Sequence, residues 1–148
     1  MATFTKFHSF VEALAEKTHN LGSDTLKVYL TNATPLTTHT VRKTNGGAQN
    51  GPEEIAAGNG YTAGGNTAAI TTSSQDPAGT YKLVLGDPTT WTASGGTIGP
   101  FQYAVLYNDT ATNDELIGYW NYGSAVTLAS GESFAVDFDA TTGVLTIA

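Results

Sequence analysis

The sequence predicts a mainly β domain: an antiparallel β-sandwich or barrel that carries a short N-terminal helix and one long irregular segment. Three observations point to it. From Asp24 onward the hydrophobic period is two, with Leu26, Val28 and Leu30 alternating with Thr25, Lys27 and Tyr29 as on a strand with one buried face. Beyond residue 66 the chain reads as short β-compatible stretches between turn signals, the spacing typical of sandwiches and barrels. The length of 148 residues is that of one domain with one core, and with no cysteine that core must be held by burial and hydrogen bonding.

In chain order, Phe7, Phe10, Val11 and Leu14 recur at the i, i+3, i+4, i+7 spacing with Glu12, Glu16 and Lys17 between them. This predicts an amphipathic helix over residues 6–18, stopped by Asn20 and Gly22. So short a helix is marginal alone, so its apolar stripe must dock. A first strand follows around Leu26 to Leu30.

Residues 31–66 hold Asn45-Gly46, Asn50-Gly51, Asn59-Gly60 and Gly64-Gly65, with Pro35 and Pro52, and few sizeable aliphatic anchors, Val41 and Ile55 among them. Dense turn chemistry with so few anchors predicts a long irregular arm that orders on a partner. Strands are then expected at 67–73, 80–85, 89–93, 101–107, 115–122, 125–128, 133–138 and 144–147. Residues 108–114 form a hairpin tip between two aromatic-rich strands, and 139–143 turn into the last strand.

Charge narrows the function. Residues 1–82 carry six acids and all six bases, while residues 83–148 carry seven acids and no base. Phosphate backbones need a basic stripe, so nucleic acid is not an expected partner. The first seventeen residues lack the unbroken apolar run of a secretion signal, and no stretch approaches the length that spans a bilayer, so no membrane partner is expected.

No catalytic pattern stands out, and neither enzyme activity nor a cofactor is expected. Phosphate loops, the G-x-S-x-G elbow and H-E-x-x-H are absent from the sequence. His8 and His19, eleven residues apart, would lie about 16 Å apart along a helix, too far to share a metal. They are read as surface or capping residues. Asp137, Asp139, Thr141 and Gly143 resemble part of a calcium loop, but the glycine is misplaced and Ala148 stands where an acid should be, so a hairpin turn is the better reading and no metal site is expected. Trp91, Trp120, Tyr103, Tyr107, Tyr119 and Tyr122 could furnish a stacking face, although strand alternation sends about half such residues into the core.

The runs FVEALAEKTHNLGSDTLKVYLTN, EIAAGNGYTAGGNT, TWTASGGTIGPFQYAVLYNDTATNDELIGYW and SFAVDFDATTGVLT resemble small structural proteins of tailed bacteriophages, across nearly the whole chain. The nearest resemblance is to capsid cement or decoration proteins. It implies a β-jellyroll on the outer capsid surface, made in the host cytoplasm, which joins as a homodimer or homotrimer to a major capsid protein of the HK97 type and bridges capsomers. The segment from Pro35 to Glu53 is more elaborate than those runs imply. Phe4, Phe7, Val41, Arg42, Lys43 and Ile55 are the apolar or basic groups that a sandwich accounts for least, and are the expected capsid contacts. The alternative reading is a tail-fibre or receptor-binding module that grips a carbohydrate.

Overall fold

The computed structural model describes residues 2–148. The chain is mainly β, with strands β1 (Phe4–Lys6), β2 (Leu26–Thr31), β3 (Asn66–Thr67), β4 (Ile70–Gln75), β5 (Tyr81–Leu85), β6 (Trp91–Thr92), β7 (Ile98–Asn108), β8 (Leu116–Leu128), β9 (Ser133–Phe134) and β10 (Leu145–Ile147), and one helix, α1 (Ser9–Ala15). One sheet has the order β1-β8-β7-β2-β3. Two smaller sheets, β10-β5-β4 and β6-β9, make up the other layer. All strand pairings are antiparallel.

The period of two explains the layering. On β2, Leu26, Val28 and Leu30 face a core shared with Leu83 and Leu85 of β5 and Trp91 of β6. This is the sandwich interior. Between them Tyr29 points the other way, into a second cluster with Phe7, Val105, Tyr107 and Leu116. The central strands are therefore buried on both faces, and something other than a sheet must cover the second one.

Residues 32–65 lie along this sheet, so the irregular segment expected to order on a partner is ordered on the chain's own β2 and β8. The Tyr29 hydroxyl donates to Pro52 O at 3.0 Å, Ile55 N donates to Leu30 O at 3.1 Å, and Leu116 N donates to Thr40 O at 2.9 Å. The turn chemistry does give irregular backbone, but the scarcity of aliphatic residues conceals the polar and aromatic anchors that hold it. Gly65 shows how closely it packs: at a φ of 68° its α-carbon sits against Val28 O, where a β-carbon would collide.

The helix is shorter than expected, because Phe4–Lys6 pairs with β8 before it starts and Lys17, at a φ of 65°, ends it before Asn20 and Gly22 are reached. Of the stripe, Phe10 is buried in the sandwich core and Leu14 packs against it, while Phe7 belongs to the opposite cluster and Val11 faces outward. Among the expected strands, 115–122 and 125–128 form one long strand, bulged between Asn121 and Val126.

Candidate functional site

The expected contact residues separate into two places. Three of them, Val41, Arg42 and Ile55, hold the long loop to the sheet, and Lys43 braces the loop within itself. Arg42 reaches Asp114 Oδ2 through Nε at 3.0 Å and Nη2 at 2.8 Å, and Glu54 Oε2 through Nη1 at 2.7 Å, with its guanidinium 5.1 Å from the centre of the Tyr107 ring. Burial opposes the cation, but the hydrogen bond to Asp114 and the charges of Glu54 and Asp114 outweigh it and leave the arginine pKa raised. Glu54, only 2 % exposed, also accepts from the Tyr61 hydroxyl at 2.8 Å and Gly64 N at 2.6 Å. Burial, then the Glu54 charge, pushes the Tyr61 phenol well above its ordinary value.

Lys43 pairs with Glu53 at 2.9 Å, Val41 bridges to Glu115, and Ile55 packs against the main core. Phe7 is 0 % exposed. In this conformation Phe7 is fully buried and Arg42 is engaged by Asp114 and Glu54, so both serve as internal supports. A basic pair in a turn-rich segment looks unsatisfied in sequence; Lys43 meets the nearby Glu53, while the partners of Arg42, Glu54 and Asp114, become visible only when residues 12 and 72 positions away are brought together.

Phe4 belongs to the second place. It lies on β1 against Trp120, ring centres 5.0 Å apart, and Trp120 meets Phe138 at 5.1 Å. A second group, Phe101, Phe134 and Tyr122, is joined by contacts of 4.8 Å and 5.7 Å. Between the two groups opens a cleft of about 330 Å³, floored by β7 and β8 and walled by residues 134–139. As the alternation predicts, Phe134, Val136 and Phe138 turn inward while Ala135 and Asp137 face water.

Phe4, Trp120 and Phe134 are only half-buried and Tyr122 is 60 % exposed, so the cleft is core left open on one side. The aromatic set named from sequence divides accordingly: Trp91 and Tyr107 are core, while Trp120 and Tyr122 line the opening. Its opposite wall, Phe134 to Phe138, alternates as an ordinary strand does, so the sequence does not mark it as the side of an opening.

Beside the cleft, β8 presents an open edge. Its outer side is occupied by residues 40–42 near Asp114 to Leu116, by Phe7 N at Ile117 O, and by β1 from Gly118 to Trp120. From Asn121 to Thr127 no strand of the described residues pairs there, and those seven residues carry no charge. Open edges without charge or proline are templates for further pairing.

The Asp139-to-Gly143 turn closes the far end. Asp139 Oδ1 accepts from Thr141 N at 2.7 Å and Thr142 N at 2.9 Å. Amides from Thr142 and Thr141 hold its carboxyl below the usual carboxylate range. No family model, curated protein or solved structure matches the chain.

Proposed function

We propose that this chain is a capsid cement protein of a tailed bacteriophage: it binds the outer face of an HK97-type shell, self-associates as a dimer or trimer, and bridges neighbouring capsomers without making or breaking a covalent bond. The reading takes the sandwich to be a jellyroll. The observation that carries it is the uncharged open edge of β8 running alongside an unfinished aromatic core, on a molecule whose other sheet face is sealed by its own loop. Such a surface suits adhesion, because an added strand supplies backbone hydrogen bonds while a pocket takes a side chain.

The phage-like runs support the reading by their location. They supply α1 and β2, the end of the covering loop, the β6-to-β8 stretch and the cleft wall. A stable interface buries about 1,200 to 2,000 Å² in total, and two such contacts on one rigid oligomer add avidity. Pressure on the shell would then have to break both kinds of contact.

The test is the abundance of the chain in purified particles. A fixed stoichiometric ratio to the major capsid protein is expected, and its absence from the particle would overturn the proposal. A carbohydrate-gripping fibre module is the second reading, favoured by the open faces of Trp120 and Tyr122. Saturable binding on a glycan array, with a few copies per particle, would select it.

A further inference from the structure

The cleft carries two carboxylates as well as an apolar lining. Apart from Ala2 and Phe4, its lining comes from residues 101–144, inside the half of the chain that holds seven acids and no base. Asp137 and Asp139 stand on its rim, and among the described residues no lysine, arginine or histidine lines it. The Asp137 carboxylate forms an ion pair with none of the described residues. Lys82, which approaches the same turn, is held by Asp76 and donates to Thr141 O at 3.3 Å.

Aromatic faces carry negative electrostatic potential, so open rings beside two carboxylates favour a cation over a neutral or anionic group. A bare inorganic cation would leave the apolar wall unfilled. A long basic side chain matches both requirements, because its methylene stem covers apolar surface while its head stays polar. The adjacent open edge from Asn121 to Thr127 would hold the backbone of an extended segment carrying that side chain.

We propose that the cleft receives a lysine or arginine side chain presented by an extended segment of a partner protein, with the stem along Val136 and Phe138, the head at Asp137 and Asp139, and Trp120 and Tyr122 beside it. The inference rests on the adhesion reading and names the chemistry of the partner segment. Arginine binds more tightly than lysine, since its planar head also stacks on rings.

The test titrates the full chain with blocked pentapeptides, Gly-Gly-Arg-Gly-Gly and its Lys, Glu and Gln counterparts, following the Trp120 indole N–H resonance by NMR. Only Trp91 and Trp120 contribute indole signals, and Trp120→Phe assigns them. A saturable shift is expected with the arginine peptide, weaker with lysine and absent with glutamate, and reduced by salt. The double variant Asp137→Asn, Asp139→Asn should bind about fivefold or more weakly. Asparagine can keep the turn hydrogen bonds at position 139, and an unchanged melting midpoint would verify folding.

Equal shifts with the Glu or Gln peptides, no saturation, or an unaffected double variant would overturn the inference. So would a shift with neutral oligosaccharides alone. Particle decoration separates this from the adhesion reading: wild-type protein that decorates particles while the double variant does so equally well defeats the cleft assignment only. Wild-type protein absent from particles defeats the function proposed above, whatever the peptides do.

Discussion

Arg42 illustrates how one side chain can carry a structural load out of proportion to its size. It neutralises Glu54, whose side chain is 1 % exposed, and it ties the covering loop to the β7–β8 tip through Asp114. Removing one partner of a buried pair leaves an uncompensated charge, so Arg42→Ala is expected to cost about 3 to 5 kcal/mol in urea unfolding. Lys43→Ala, which breaks a partly exposed pair, should cost under about 1 kcal/mol. His19 sets a pH dependence. It is buried, where the sequence suggested a surface or capping residue. The Asn108 amide is oriented by Thr110 N and Ala111 N donating to its oxygen, so Asn108 Nδ2 faces His19 Nδ1 at 3.1 Å as a donor. That arrangement places the histidine proton on Nε2, which has no partner. Protonating Nδ1 would set one donor against another. Burial lowers the His19 pKa, with Glu115 and Asp24 opposing, below the ordinary 6.5. Between the lowered folded value and 6.5 the unfolded chain binds more protons, so the stability that neutral His19 contributes is present above 6.5 and is lost as the pH falls through the folded value. The unfolding midpoint should drop between about pH 7.5 and about pH 5.5, and His19→Gln should flatten that slope.

At the scale of elements, β1 and β8 fit through Gly118. A β-carbon there would strike the Phe4 ring and Thr5 O. Gly118→Val is therefore expected to displace β1, cost about 1 to 3 kcal/mol and remove amide protection from Phe4 to Lys6 in hydrogen exchange. If β1 stayed protected, the packing described for the cleft would be wrong. Strands from Leu26 onward were legible where apolar residues recur at every second position, although of the expected 133–138 strand only Ser133–Phe134 pairs, and the β7–β8 hairpin was legible because its turn residues lie between two aromatic runs. The covering loop was not legible as structure. Its supports are Tyr29, Tyr61, Arg42 and Glu54, polar or amphipathic residues whose burial depends on partners distant in sequence. Phe7 carried the right period for a helix and sits outside it, since β1 turns the chain onto the other face. The cleft was half legible: sequence named Trp120 and Tyr122, but which aromatics stay open depends on where β1 stops and where residues 134–139 cross.

For the whole molecule, the sealed and open surfaces divide the labour. The face covered by residues 32–65 is internally satisfied, so replacing 35–53 by a short glycine linker should uncover Tyr29 and Tyr107 and give an expanded or aggregating protein, read by gel filtration. The open edge and the cleft are the surfaces proposed to meet a partner. Self-association through this surface or another is required for bridging, so light scattering should show a dimer or trimer in solution or on the particle, and a strict monomer in both would remove bridging. The most direct measurement is a side-chain-resolution density map of the intact virion. The account predicts this sandwich in symmetric copies on the outer shell, with the cleft and the Asn121-to-Thr127 edge against a neighbouring subunit. A shell bare of it, or a virion in which it occurs only on the tail, would contradict the account.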